Sequence, residues 1–257
     1  METKPEKNTI IAFVGKGGVG KTSLSALTVR VLSETYPDKR ILAIDADPAV
    51  GLSTALGVDV GMTVDDIRKE FIESSKEGET RQAIELLGDA RYQMLDSLVE
   101  MGNISFLAIG RPEAAGCYCK VNSYLKAVIG LIAENFDYVV IDGEAGIEQV
   151  NRRVMEKVTH LILVSDPSRK GIQVVNTIRN VAKNLVMFEK SQMVLNRVPD
   201  EVVEDLRTDE ELCQAVCICD DRAMCLNDMR GKSVFGLPQD SVVVEGVREA
   251  LRKLAIL

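Results

Sequence analysis

The chain has 257 residues, 46% of them hydrophobic, and a formal net charge of −8 from 31 basic and 39 acidic side chains. This size and hydrophobic fraction suit a domain with a full core, and the acidic balance argues against a general nucleic-acid-binding surface. The longest apolar runs have the length of strands, far short of a membrane span, and residues 1–8 lack the apolar segment of a signal peptide. We therefore expect a cytoplasmic protein that binds neither nucleic acid nor membrane.

Apolar runs of strand length alternate with amphipathic segments along most of the chain. We predict strands at Thr9–Val14, Arg40–Asp45, Ile104–Ile109, Tyr138–Asp142, His160–Ser165, Gln192–Asn196 and Ala215–Cys219. We predict helices at Ser23–Glu34, Asn122–Asn135, Glu148–Val158, Gly171–Val186 and Val242–Leu254. This alternation predicts an α/β fold with a mostly parallel sheet flanked by helices on both faces. Functional side chains should then gather at the carboxyl ends of the strands.

Residues 59–102 have a different pattern from the rest of the chain. Met62–Ser75 and Thr80–Leu98 are charge-rich and helical, and the interval contains no strand pattern. We expect one domain over residues 1–257, with a helical excursion from the sheet at about 59–102. The excursion would serve as a cap or as a docking surface.

The first predicted strand ends in a glycine-rich loop with the pattern G-x-x-x-x-G-K-T, which runs from Gly15 to Thr22. A strand, such a loop and a helix together are typical of a phosphate-binding P-loop. Glycines let successive backbone N–H groups face one anion, and the N-terminus of the next helix adds its positive dipole end. Lys21 is expected to reach the β- and γ-phosphates, and the Thr22 hydroxyl to ligate Mg²⁺. The residues predicted to bind the nucleotide here are Gly15, Lys16, Gly17, Gly18, Val19, Gly20, Lys21, Thr22 and Ser23.

The same loop carries a second lysine, Lys16, which an ordinary P-loop does not need. The pattern G-K-G-G-x-G-K-T resembles the deviant P-loop of the family of ATPases that includes MinD, ParA and the nitrogenase iron protein. The resemblance implies an ATP-dependent homodimer in which Lys16 reaches the partner's nucleotide. Lys16 and Lys21 would then both act as catalytic cations on the transferred phosphate. The alternative is a solvated loop lysine.

Two acidic segments follow predicted strands and resemble the nucleotide switches of that family. The segment from Asp45 to Pro48 resembles the first switch, D-x-D-P; the resemblance assigns water positioning to Asp47 and makes Asp45 the weaker candidate. Asp142 opens a D-x-x-A-G segment that resembles the second switch, and is expected to hold Mg²⁺ through water. Asn196 ends a later strand, where the family uses asparagine to read the adenine edge. An aspartate-rich turn is the alternative for the first segment.

Cys117 and Cys119 form a C-x-C segment between the third predicted strand and the next helix. Two thiolates supply half of a tetrahedral metal site, and the second copy in a two-fold dimer would supply the other half. Together with the D-x-x-A-G-I-E segment from Asp142 to Glu148, this pair resembles the CooC-type ATPases, which mature carbon monoxide dehydrogenase or acetyl-CoA synthase. The resemblance implies that both cysteines bind Ni²⁺ or Zn²⁺ at the dimer interface and that a nickel enzyme is the client. Two buried structural cysteines are the alternative.

Two functions from other classes stay open at this stage. One is a spatial regulator of the MinD/ParA type, which uses the same nucleotide switch to bind a membrane or DNA. The amphipathic tail Val242–Leu257 could suggest membrane targeting, although we expect it to pack in the core. The other is an ATP-dependent reductase similar to the nitrogenase iron protein, whose cysteines lie on two separate loops rather than on one.

A second group of cysteines has no counterpart in the resemblance. It comprises Cys213, Cys217, Cys219 and Cys225. These thiols could have a metal or redox role, or they could be buried or incidental. Where relatives carry a proline-containing nucleotide-binding loop, this chain has Cys-Asp-Asp-Arg at 219–222, so the mode of adenine binding is left open.

Overall fold

The structure is a computed structural model that describes residues 8–76, 91–110, 119–143, 154, 158–185 and 188–257. Its strands are β1 (Thr9–Gly15), β2 (Ile41–Asp45), β3 (Val99–Met101), β4 (Ile104–Ala108), β5 (Tyr138–Asp142), β6 (His160–Ser165), β7 (Lys190–Val198) and β8 (Val216–Cys219). Its α-helices are α1 (Lys21–Thr35), α2 (Gly51–Leu56), α3 (Val64–Lys76), α4 (Cys119–Ala133), α5 (Arg169–Leu185), α6 (Val203–Thr208), α7 (Arg222–Met229) and α8 (Val242–Lys253). Short 3₁₀ helices occupy Asp200–Val202 and Val234–Gly236, and residues 91–96 are helical.

Within the described ranges, eight strands form one sheet in the order β3-β4-β2-β5-β1-β6-β7-β8. All neighbouring strands run parallel except β3, which is antiparallel to β4. The predicted α/β class with a mostly parallel sheet is therefore confirmed. β1, which leads into the glycine-rich loop, lies between β5 and β6 near the middle of the sheet.

Each central strand contributes alternate residues to the two faces of the sheet. Ile11 and Phe13 pack with residues of α1, α2 and α8, whereas Ile10 and Ala12 pack on the other face with residues of α3, α4 and α5. Both faces are covered, as a parallel sheet requires, so its strands are almost continuously apolar. The paired strands therefore hold the residues at their carboxyl ends in fixed positions relative to one another.

β3 corrects the expectation that residues 59–102 contain no strand. The element is three residues long and its central residue, Glu100, is exposed, so no apolar run marks it in the sequence. Val99 and Met101 pair with Phe106 and Ile104 of β4. The excursion therefore returns to the sheet as an edge strand. The extent of a single domain over the whole chain stays a prediction, and the predicted helix Glu148–Val158 lies mostly outside the described residues.

The tail packs into the core, as the sequence led us to expect. α8 buries Val244, Val247 and Leu251 against α1 and β8. A Cβ at Gly246 would lie 2.5 Å from the side chain of Ile218, so the glycine allows the helix to approach β8 closely. None of the helices in the described ranges is both long and apolar enough to cross a membrane.

Candidate nucleotide-binding site

The loop between β1 and α1 contains three glycines with positive φ: 152° at Gly15, 80° at Gly18 and 95° at Gly20. A Cβ at Gly15 would lie 2.0 Å from the carbonyl oxygen of Val164, and one at Gly20 would lie 2.4 Å from Nδ2 of Asn196. Any side chain at these two positions would clash as well as strain the backbone. The tight loop ends at the N-terminus of α1, whose first N–H groups have no partner within the helix and favour an anion.

The two lysines of the loop differ in their surroundings. Lys21, the first residue of α1, is 8% exposed, and its Nζ donates to the backbone oxygen of Lys16 at 3.2 Å. The Lys16 side chain is 46% exposed, and its Nζ lies 4.0 Å from Oδ2 of Asp166. Lys21 is thus folded across the loop, as a phosphate ligand should be, whereas Lys16 lies on the surface. Their catalytic roles stay predictions.

Two buried carboxylates lie beside the loop, at the carboxyl ends of β2 and β5. Asp45 and Asp142 are paired in register on these adjacent strands, and their exposures are 0% and 1%. Burial, together with the charge of Asp142, raises the pKa of Asp45 to about 7. Burial also raises the pKa of Asp142 to about 6, against hydrogen bonds from Thr22 and Ser25 and the charge of Lys21. Carboxylates held this way favour a bound cation.

Asp142 has an oxygen that fits such a cation. Its Oδ1 accepts a hydrogen bond from Oγ of Ser25 at 3.2 Å, whereas Oδ2 is buried and has no hydrogen-bond partner among the described residues. An unpaired buried carboxylate oxygen is costly, and a cation would remove that cost. The Thr22 side chain lies close enough to this carboxylate to lower its pKa, and Mg²⁺ prefers oxygen ligands. Thr22 and Asp142 therefore fit Mg²⁺, which would neutralise charge on the nucleotide phosphates.

Asp45 and Asp47 differ in what their oxygens contact. Oδ1 of Asp45 accepts from the backbone N–H of Asp47 at 3.1 Å, and Oδ2 accepts from that of Leu52 at 2.9 Å. Asp47 is half-buried, and its Oδ1 accepts from the N–H of Ala49 at 2.9 Å. Asp45 therefore shapes the turn after β2, while Asp47 is accessible to solvent. The assignment of water positioning to Asp47 is compatible with this geometry and stays a prediction.

A pocket of about 370 Å³ opens next to the first turn of α1, lined there by Ser23 and Leu24. Asn196 and Arg197, at the end of β7, form another part of its wall. Nδ2 of the buried Asn196 donates to the backbone oxygen of Val19 at 2.9 Å, so part of its amide group supports the loop. The pocket therefore lies between the start of α1 and Asn196, the residue that the resemblance assigns to reading the adenine edge. The reading of the base by Asn196 stays a prediction.

The opposite wall of this pocket comes from α7, a helix that the sequence did not predict. Met224, Cys225 and Met229 of α7 and Cys219 of β8 line it. Asp221 caps α7, accepting from the backbone N–H groups of Ala223 and Met224. The Cys-Asp-Asp-Arg segment, already identified in the sequence as a departure from the proline-containing loop of relatives, thus leads into a capped helix that lines the pocket. The missed signal is an aspartate N-cap directly after a strand.

The predicted metal ligands fall at the limit of the described structure. Cys117 lies outside the described residues, as do the residues of the second switch after Gly143, and Cys119 is the first residue of α4. In the ranges that the structure describes, no three histidine, cysteine or acidic residues are grouped so that they could hold a metal ion. Binding of Ni²⁺ or Zn²⁺ by Cys117 and Cys119 therefore stays a prediction.

A comparison with protein families shows to which class of protein the chain belongs. Residues 8–230 match the family described as anion-transporting ATPase, and these residues include the loop, both buried carboxylates and most of the residues that line the pocket. The chain belongs to this family. It is therefore an ATPase, as the glycine-rich loop predicted, and the coarser resemblance to MinD/ParA-type P-loop ATPases is confirmed.

Individual relatives differ in what they imply. The chain is 34% identical to an uncharacterised ATP-binding protein of Methanocaldococcus jannaschii, over 95% of this chain and 98% of that protein. It is 29% identical to the carbon monoxide dehydrogenase accessory protein CooC of Rhodospirillum rubrum, over 68% of this chain and 69% of that protein. Its fold is similar to that of MinD from Pyrococcus horikoshii complexed with Mg-ADP, with a TM-score of 0.67, 23% identity and coverage of 97% and 98% of the two chains.

Proposed function

We propose that the chain is an ATP-dependent, dimerising metallochaperone that inserts nickel into carbon monoxide dehydrogenase or acetyl-CoA synthase. One observation carries the proposal: the segment with Cys117 and Cys119 follows β4, whose last residue, Ala108, is paired in register with Asp45. The backbone N–H of Ile109 donates to the carbonyl of Asp45 at 2.8 Å. The chain therefore enters the cysteine segment from the edge of the sheet that carries the ATPase carboxylates. The similarity to CooC supports the same function.

Metal binding and ATP binding would be coupled through the dimer. Two chains each supply Cys117 and Cys119, which together make a four-thiolate site suited to Ni²⁺ or Zn²⁺. If ATP stabilises the dimer, it must also raise the affinity of the shared metal site, and the metal must raise the affinity for ATP. Hydrolysis would then weaken the dimer and release the ion to the apo-enzyme.

The main alternative is spatial regulation of the MinD/ParA type on a membrane or DNA. The apolar face of α8 packs on α1 and β8 and is not free to insert in a bilayer, and the net charge of −8 disfavours DNA. Sedimentation with anionic liposomes, with and without ATP, tests this alternative: ATP-dependent co-sedimentation would favour it. The remaining alternative is an ATP-dependent reductase similar to the nitrogenase iron protein. A visible absorption band after iron–sulfur reconstitution would favour it.

Metal stoichiometry tests the proposal directly. Equilibrium dialysis with elemental analysis should give one Ni²⁺ or Zn²⁺ per dimer, with protons released on binding because thiolates are the ligands. Cys117→Ser and Cys119→Ser should each abolish this binding and leave ATP binding by the monomer intact. The matched control is Cys213→Ser, at an exposed cysteine. Full metal binding by the Cys117/Cys119 double variant, with loss in a Cys217/Cys219 double variant, would overturn the proposal.

A further inference from the structure

The pocket beside the phosphate loop has an unusual concentration of sulfur in its wall. Cys219 lies at the end of β8, and Met224, Cys225 and Met229 lie on α7. Cys225 is exposed, and Met229 is 79% exposed. We propose that Cys225 is a covalent modification site for low-molecular-weight disulfides, and that an adduct there fills the adenine pocket and blocks ATP binding. The inference rests on the placement of the base in this pocket.

Exposure distinguishes Cys225 from Cys219, the other cysteine that lines the pocket. Thiol–disulfide exchange requires an accessible thiolate. Burial, together with the hydrogen bond to Asp200 and the charge of Asp200, raises the pKa of Cys219 to about 11, so this thiol stays protonated at neutral pH. Burial also raises the pKa of Cys217. Cys225, in contrast, lies on an exposed helix surface at the pocket wall.

The position of the pocket predicts a selective effect on the base. Asn196 and Arg197 separate the pocket from the loop; they donate to the backbone oxygens of Val19 and Gly18 at 2.9 Å and 3.2 Å. Residues 15–22 of the loop are not among the residues that line the pocket, whereas Ser23 in the first turn of α1 is. An adduct on Cys225 should therefore exclude the adenine base and leave the phosphate site accessible.

The modification is an ordinary exchange reaction that needs no other oxidant. The Cys225 thiolate attacks one sulfur of a disulfide such as oxidised glutathione, and a new S–S bond forms while the old one breaks. The displaced glutathione leaves as a thiolate and takes up the proton that Cys225 lost. A second thiol reverses the exchange by the same route and restores the free cysteine.

The first experiment measures the rate at which N-ethylmaleimide labels each cysteine of the full chain, by mass spectrometry of peptides. Mg-ADP should slow labelling of Cys225 by about tenfold or more, because the base covers it. Inorganic tripolyphosphate, which has no base, should not slow it. Cys213 is the internal control: it is exposed and outside the pocket lining. Equal protection of Cys225 by both ligands, or protection by neither, would overturn the proposal.

The second experiment measures nucleotide affinity after treatment with oxidised glutathione. Wild type should lose about tenfold or more in Mg-ATP affinity and keep its tripolyphosphate affinity, and dithiothreitol should restore the former. Cys225→Ser should resist the treatment, while Cys213→Ser should respond like wild type. Cys225→Phe, at an exposed position, should mimic the adduct without treatment. Unchanged Mg-ATP affinity of glutathionylated wild type would overturn the inference, whereas failure of the metal-delivery proposal would appear separately in the dialysis of Cys117 and Cys119 variants.

Discussion

Asp45 and Asp47 are two residues apart in the chain, yet their surroundings divide two roles between them. Asp45 is fully buried, and both of its oxygens accept backbone N–H groups of the turn that follows β2. Asp47, in the turn itself, is only half-buried. Sequence spacing suggested both residues for the site, but it contains no information on depth. The burial of Asp45 explains why it should act on the shape of the switch rather than on water.

Replacement of these carboxylates should therefore have different effects. We expect Asp47→Asn to bind Mg-ATP with nearly wild-type affinity and to hydrolyse it about 10²-fold more slowly, because the group acts mainly in the transition state. Lys21→Ala should instead weaken nucleotide binding itself. Steady-state phosphate release and nucleotide titration measure the two effects. Asp59→Asn, at an exposed carboxylate after α2, is the matched control. Wild-type turnover by Asp47→Asn would contradict the assignment.

Thr28 has a buried hydroxyl with no hydrogen-bond partner in the described structure. It lies in the middle of α1 and is 0% exposed, surrounded by Phe13, Ile162 and Val247. Because an unsatisfied buried polar group is unfavourable, we expect Thr28→Val to raise the free energy of unfolding by about 1 kcal/mol. Urea denaturation measures this change. Thr28→Ser, which keeps the hydroxyl and loses the methyl group, should lower it; a loss of stability in Thr28→Val would show that the hydroxyl is satisfied.

At the scale of elements, Asp221 joins the ends of two helices. One of its oxygens accepts from the N–H groups of Ala223 and Met224 in α7. The other accepts from the hydroxyl of Ser241 and from the N–H of Val243, at the start of α8. Burial raises the pKa of Asp221, but these four hydrogen bonds outweigh burial and the net pKa is lowered. A single carboxylate thus fixes the pocket wall to the helix that closes the core.

Removal of this double cap should destabilise the protein in a pH-dependent way. We expect Asp221→Ala to lower the free energy of unfolding by about 1 to 3 kcal/mol. Because the folded pKa is lowered, the stabilisation by the carboxylate is complete above its unfolded pKa of about 4 and is lost as the pH falls through the folded pKa. The difference between wild type and Asp221→Asn should therefore shrink below about pH 4. Asp220→Asn, at the exposed neighbour, should have little effect at any pH.

The elements that the sequence predicted well are those whose burial is uniform. The bounds of β5 and β6 agree with the prediction at both ends, because each is a continuous apolar run between polar residues. The shorter elements α2, α6 and α7 were missed, since six to eight residues are too few to show a helical period. One of these missed helices, α7, contributes to the candidate site. The wall of the pocket beside the phosphate loop, including Cys225, could not be recognised without α7.

At the scale of the whole molecule, the features that chemistry requires lie along one edge of the sheet. β1 leads to the loop, β2 and β5 present Asp45 and Asp142, and β4 leads toward the cysteine segment. Parallel strands must be joined by crossover connections, which limits the possible strand orders. The sequence alone did not show which of these orders the sheet has. It could also not decide whether Lys16 acts within its own chain, because that question concerns a second copy of the molecule.

The contact that Lys16 makes within its own chain is weak enough to be exchanged. Its ammonium lies 4.0 Å from Asp166, and both side chains are more than a third exposed, so the pair is worth at most about 1 kcal/mol. Hydrogen bonds from Ser168 are the main reason why the pKa of Asp166 is lowered, with Lys16 as the smallest contribution. The phosphates of a nucleotide bound to the partner chain carry several negative charges and would compete easily with Asp166 for this lysine.

Mixing two inactive variants tests whether Lys16 acts across the dimer. We expect Lys16→Ala and Asp47→Ala each to hydrolyse ATP slowly, since one lacks the cation for its partner and the other lacks its own water-positioning carboxylate. In the mixed dimer, the site on the Lys16→Ala chain keeps Asp47 and receives Lys16 from the other chain, so one of its two sites is complete. Random pairing makes half of the dimers mixed, so the mixture should recover about a quarter of the wild-type rate per chain. Phosphate release from equimolar mixtures measures this, with each variant alone as the control. If the mixture shows no recovery and Lys16→Ala dimerises normally with ATP, Lys16 is a solvated loop lysine.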